Sequence, residues 1–143
     1  MANLFNMKLT PYLHFAGNAE EVLNFYKEVL NGEIVMLSRY GDSPLPCDDN
    51  YKQKVLHARL AFGNNVLMIS DAFKGSPVHT GGNIQLNVEV PDKTTLETVF
   101  SKMAAGGKIT MPLQDQFWGS AFGMLQDKFG VNWMFSRQHT PNP

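Results

Sequence analysis

Two apolar helical stripes in one register, 74 residues apart, constrain this chain more than any other feature. In the first, Asn18 stands as an N-cap with Glu21 at the capping-box position, and Val22, Phe25, Tyr26, Val29 and Leu30 follow at i, i+3, i+4, i+7 and i+8. Asn31-Gly32 ends the pattern. In the second, Asp92 follows Pro91 as the cap, and Leu96, Val99, Phe100, Met103 and Ala104 repeat the spacing up to Gly106-Gly107. Each apolar position of the first helix, and the terminating Gly32, recurs in the second.

The strand signals around the helices match as well: a period-two stretch precedes each helix and three β-rich stretches follow it. The first half predicts strands over Leu9–Ala16, Ile34–Tyr40, Lys54–Phe62 and Val66–Asp71, with Gly63-Asn64-Asn65 as a hairpin turn. The second predicts Asn83–Val90, Lys108–Leu113, Phe117–Gln126 and Val131–Ser136, with Asp127-Lys128-Phe129-Gly130 as the turn. The glycine- and proline-bearing stretch from Asp71 to Gly82 links the halves. The expected fold is α+β, with two βαβββ modules (about 8–72 and 83–137) in a single domain over 1–143.

Length and composition suit such a domain. A chain of 143 residues buries roughly two-thirds of its unfolded surface, and 43% hydrophobic against 17% charged residues argues for a packed core. Twelve Lys plus Arg balance thirteen Asp plus Glu, so no field of one sign attracts nucleic acid or an anionic membrane. No apolar run spans a bilayer, and Met1 to Thr10 lacks the basic start and apolar centre of a signal peptide, so a cytoplasmic location is expected. Cys47 is the single cysteine, which excludes an intramolecular disulfide and a CxxC pair; the acids Asp48 and Asp49 beside it oppose thiolate formation.

Three strings resemble a known family. Pro11-Tyr12-Leu13-His14-Phe15, leading to Asn18-Ala19-Glu20-Glu21 and Phe25-Tyr26, is similar to the opening motif of the PhnB-like branch of the glyoxalase/bleomycin-resistance (vicinal oxygen chelate) superfamily. Met68-Ile69-Ser70-Asp71 resembles the end of its first module. Phe117-Trp118 through Asp127-Lys128-Phe129-Gly130-Val131-Asn132-Trp133-Met134 resembles its closing signature. The similarity covers roughly residues 8–137 and implies an eight-stranded curved sheet that forms a cup around a central site.

Alternation assigns side chains to the two faces. Leu9, Leu13 and Phe15 are expected under the first helix, leaving Thr10, Tyr12 and His14 in the cup. Ile84, Leu86 and Val88 correspond to them in the second half, leaving Asn83, Gln85 and Asn87 inside. Met68 and Ser70, with Asn132, Met134 and Ser136, complete a polar, largely uncharged lining. The superfamily's metal enzymes take one ligand from each of four strands, and the resemblance carries these positions to about Thr10, Met68, Asn83 and Met134. Two thioethers, a hydroxyl and an amide are poor donors for a hard or borderline divalent ion, so no catalytic metal and no other cofactor is expected.

Most of the remaining candidates have competing readings. His14 is either a general base in the cup or a histidine bonded across strands. His57, beside Arg59, is a proton carrier, a ligand contact or part of a cross-strand network. Asp71 is an acid or a cap of the linker, His79 and His139 read as solvated, and Trp118 stacks on a planar ligand or packs in the core or a dimer. Ligand-binding candidates are Tyr12, His14, Met68, Ser70, Gln85, Trp118, Asn132 and Met134. No strand leads into a GxGxxG turn that would seat a dinucleotide or methyl donor. The expected function is metal-free binding of a small, partly apolar molecule; the alternative is a glyoxalase-like isomerase or lyase with His14 or His57 as base. A homodimer is expected, since large apolar groups near Phe117, Trp118, Phe122 and Met124 and the sheet edges need cover.

Overall fold

Alternation of apolar and polar residues, punctuated by Pro and Gly, sets where strands begin and which way each side chain faces. The computed structural model describes residues 6–116 and 120–137 and forms two compact units that divide after Val78. The first holds β1 (Tyr12–Phe15), α1 (Ala19–Val29), β2 (Glu33–Arg39), β3 (Val55–Phe62) and β4 (Asn65–Asp71). The second holds β5 (Leu86–Glu89), α2 (Lys93–Ala104), β6 (Lys108–Asp115), β7 (Ala121–Gln126) and β8 (Asn132–Arg137). Each unit has one four-stranded sheet, ordered β1-β4-β3-β2 and β5-β8-β7-β6 respectively. In each sheet the first strand runs parallel to the last, and the other neighbours are antiparallel. The fold class is α+β, with βαβββ order in both units.

In the first unit α1 packs on β2, β3 and β4. It buries Ala19, Val22, Leu23, Tyr26 and Val29, and the core-facing residues Phe15, Ala58, Leu60, Leu67 and Ile69 of the sheet are buried too. The stripe is rotated from the expected one: Leu23 is fully buried while Phe25 is only half-buried at its margin. In the second unit α2 buries Leu96, Phe100 and Met103, and Val99 is likewise marginal. Phe100 meets Phe135 edge-on, with ring centroids 6.3 Å apart, and Trp133 stacks on Phe135 at 5.9 Å.

Several boundaries differ from expectation for local reasons. β1 begins at Tyr12 rather than Leu9, because Pro11 has no N–H to add to the ladder; only its carbonyl takes part, accepting from Met68 N at 3.0 Å. Leu9, expected under the helix, is 94% exposed. β5 begins at Leu86 rather than Asn83, leaving Ile84 exposed. Asn132 Nδ2 holds the preceding segment instead, donating to the carbonyls of Gly81 (2.9 Å) and Ile84 (3.5 Å). β7 begins at Ala121, and the Phe117 and Trp118 positions lie outside the described residues.

The start of α1 is capped differently from the sequence reading. Asn18 occupies the N-cap position but makes no side-chain cap bond. Asp71 takes its place from the end of β4, the parallel neighbour of β1. Its Oδ1 accepts from Gly17 N and Ala19 N, both at 2.9 Å, and its Oδ2 accepts from Val55 N at 2.9 Å. A buried carboxylate at a helix N-terminus is favourable when its oxygens are saturated in this way. Asp127 does related work in the second unit: Oδ1 accepts from Phe129 N and Val131 N, and Oδ2 from Trp133 Nε1. Among the described residues, no helix is long and apolar enough to cross a membrane.

Candidate functional site

The site is built on the face of the first sheet that points away from α1. Pairing aligns it in two rows. Tyr12 stands opposite Met68, Met68 opposite Arg59, and Arg59 opposite Met36. His14 stands opposite Ser70, and His57 opposite Ser38. Four strands thus deliver two imidazoles, a guanidinium, three hydroxyls and two thioethers to one surface.

Hydrogen bonds knit these groups together. His14 Nδ1 lies 2.7 Å from Ser70 Oγ, and the His14 ring stacks on Tyr12 with centroids 4.5 Å apart. Tyr12 Oη lies 2.7 Å from His57 Nδ1, and Arg59 Nε donates to His57 Nε2 at 3.3 Å. A guanidinium only donates, so His57 Nε2 accepts and the proton of the neutral ring sits on Nδ1, where it donates to Tyr12. The Tyr12 hydroxyl hydrogen is then available to another acceptor. Burial, and secondly the Arg59 charge, hold the His57 pKa below its ordinary value, which favours this neutral form.

Beside this network lies an open pocket of about 310 Å³. Tyr12, His14, Ser70, Asp71 and Ser76 supply its polar lining, and Tyr40, Leu56, Ala72 and Phe73 supply a second, largely apolar wall. The second wall is braced by the chain that leaves β4. Tyr40 Oη donates to Asp71 O at 2.8 Å and Tyr51 donates to Ala72 O, and Tyr40 meets the Tyr51 and Phe73 rings edge-on at 5.0 and 5.9 Å.

The structure brings four of the expected ligand-binding residues, Tyr12, His14, Met68 and Ser70, onto one surface, and His57 joins them. In the second unit, Met134 pairs with Asn87 on β5, while the amides of Gln85 and Asn132 are engaged with main-chain carbonyls. Trp118 and His139 lie outside the described residues. His79 is exposed. Asp71, weighed as an acid or a linker cap, is buried and spends one oxygen on backbone N–H groups at the start of α1 and the other on Val55 N at the start of β3. The apolar wall of Tyr40, Leu56 and Phe73 escaped sequence reasoning, because nothing in a loop such as Ala72-Phe73-Lys74 shows that it folds back over a sheet face. The one available signal was a large aromatic in a glycine-rich connection.

The positions that the resemblance assigns to a metal do not suit one. Thr10, Met68 and Met134 are half-buried and Asn83 is exposed, and together they offer no imidazole or carboxylate. Among the described residues, no group of three or more His, Cys, Asp or Glu stands close enough together to hold a metal ion. No chemistry of this site is assigned to a metal.

Over residues 7–136 the chain matches the family model described as 3-demethylubiquinone-9 3-methyltransferase. It is 30% identical over 141 residues to protein YjdN of Escherichia coli K12, covering 91% of this chain and 95% of that protein. Among solved structures it is similar to protein PA1353 from Pseudomonas aeruginosa, at 37% identity and a TM-score of 0.84, over 93% of this chain and 98% of that one. It is also similar to a putative 3-demethylubiquinone-9 3-methyltransferase, PhnB protein, from Bacillus cereus, at 33% identity and a TM-score of 0.77, over 92% and 99% of the two chains. A glyoxylase/bleomycin resistance protein/dioxygenase domain from Frankia, 14% identical with a TM-score of 0.69 over 96% of this chain and 95% of that one, shares the fold. The strand order of both units and these matches agree: the chain belongs to the PhnB-like family described as 3-demethylubiquinone-9 3-methyltransferase, and its fold is that of the glyoxalase/bleomycin-resistance proteins.

Proposed function

We propose that this chain is a metal-independent binding protein for a small, partly apolar molecule, held in the pocket of the first unit. The observation that carries this reading is the mixed chemistry of the pocket: hydrogen-bonding Tyr12, His14 and Ser70 and the apolar surfaces of Tyr40, Leu56 and Phe73 line one cavity. An apolar body and a few convergent polar groups are what orient a small ligand, and about 310 Å³ suits a molecule of metabolite size. In this reading the two units are repeated modules of one domain, working in the cytoplasm as a homodimer with no nucleic-acid or membrane partner.

A thermal-shift screen of small molecules tests it. Hits are expected to raise the melting temperature equally with and without chelator, and to be lost in Phe73→Ala and His14→Ala. Hits that vanish with chelator, or that ignore both substitutions, would refute the reading.

One observation favours a second reading, an isomerase or lyase of the glyoxalase type. Ser70 orients His14 through Nδ1, which leaves Nε2 as the nitrogen for proton transfer at the pocket wall. Deuterium uptake from solvent at the carbon beside a carbonyl of a bound hit, lost in His14→Ala, would select catalysis over binding alone. Methyl transfer has less support. No GxGxxG turn follows a strand, and at the start of α1 the Asp71 carboxylate already occupies the anion position, accepting from Gly17 N and Ala19 N.

A further inference from the structure

The charge around the pocket says more about its occupant than the pocket's shape does. Along the two rows of the first sheet face, Arg59 is the one full charge and no carboxylate is present. The nearest acid on that face is Glu33, one row further along β2 opposite Ala61, at the strand edge remote from β1. The ion pairs among the described residues are Arg39 with Glu20, Lys52 with Asp49 and Lys74 with Asp48. Arg59 is in none of them, and its side chain is exposed. Asp71, the one carboxylate in the pocket lining, has both oxygens committed to three backbone N–H groups. An unneutralised guanidinium is therefore coupled to the pocket wall through a chain of two hydrogen bonds, Arg59 to His57 and His57 to Tyr12.

This chain ends on a donor. With His57 donating to its oxygen, the Tyr12 hydroxyl presents its own hydrogen outward, next to His14 and Ser70. A neutral acceptor would use that donor but leave the positive charge behind it uncompensated. An anionic oxygen would use both, gaining a hydrogen bond from Tyr12 that the Arg59 charge assists through the neutral His57 ring. The Tyr40 and Phe73 rings in the same lining suit a flat or apolar body attached to that anion.

We propose that the molecule bound in this pocket is an organic anion of the carboxylate class, its charged group at Tyr12, His14 and Ser70 and its apolar part against Tyr40 and Phe73, with Arg59 as the selectivity residue. This rests on the pocket reading above.

Benzoate and its neutral isostere benzamide are the probes, titrated into the full chain while the imidazole signals of His14 and His57 are followed by NMR. Benzoate is expected to shift both signals, to raise the His57 pKa, and to bind roughly tenfold or more tighter than benzamide, an advantage that shrinks with added salt. Arg59→Met is expected to bring benzoate down to the affinity of benzamide and leave benzamide unchanged, and Arg59→Lys to keep part of the preference. Equal binding of the two probes by the parent chain, or benzoate binding that ignores Arg59→Met, would overturn the anion assignment while the pocket reading stands. If neither probe at millimolar concentration moves the His14 signal, both fail.

Discussion

Asp71 shows how one side chain can hold a site together. Its carboxylate joins the β1–α1 turn to the start of β3, and its own carbonyl accepts from Tyr40, a pocket-wall residue. Asp71→Ala would leave the N–H groups of Gly17, Ala19 and Val55 without their acceptor, and a loss of about 3 kcal/mol or more is expected in urea unfolding. His57 makes a prediction about pH. Its pKa lies below the ordinary value in the folded chain, through burial first and Arg59 second. As pH falls through the unfolded value of about 6.5 the unfolded chain takes up the proton first, so the stability linked to His57 is complete above that pH and declines below it, toward the folded value. In Arg59→Gln the His57 pKa should rise, yet stay below its unfolded value because burial is the larger cause. An NMR titration of the imidazole checks both points.

The two helices share a register but not a capping scheme. Asp92 caps α2 itself, accepting from Thr95 N at 2.7 Å, whereas Asn18 contributes no side-chain bond to α1. Asp92→Ala should therefore destabilise the chain measurably and Asn18→Ala should leave it nearly unchanged, a contrast that paired urea melts resolve. The helix ends differ by one residue. At the end of α1 the left-handed position is Asn31 (φ 52°), followed by Gly32; at the end of α2 it is Gly106 (φ 76°), followed by Gly107. A Cβ on Gly32 would lie 2.8 Å from Ala61 O, and one on Gly107 would lie 2.3 Å from Gln126 O. The structural counterpart of Gly32 is thus Gly107, where the fixed spacing of the stripes pointed to Gly106. The outer strands β2 and β6 are interrupted by register shifts, and Pro112 in β6 lacks a donor, devices that discourage indiscriminate edge pairing.

At the scale of the whole molecule, those interrupted edges still carry apolar surface. Val35 on β2 is 54% exposed and Ile109 on β6 is 50% exposed. A two-fold interface covers such patches with the same surface on each chain, and we expect a homodimer. Light scattering on a gel-filtration peak should then give about 32 kDa, twice the chain mass of 16.0 kDa. A 16.0 kDa species at every concentration would contradict it.

Periodicity alone determined a good deal of this protein: two helices, eight strands in βαβββ order, and the face on which Tyr12, His14, Met68 and Ser70 lie. Those properties are local, because a period of two or 3.6 assigns each side chain a direction before any tertiary contact forms. Only the tertiary structure decided what the polar residues do. Asp71 reaches α1 because β4 runs parallel beside β1. His57 meets Tyr12, 45 positions earlier, because β4 lies between their strands in the sheet and side chains on that face can reach across it. Phe73 becomes a pocket wall because Tyr40 and Tyr51 tie the chain leaving β4 back over the sheet. Partners so distant in sequence are set by strand order and register, which no local pattern of residues encodes.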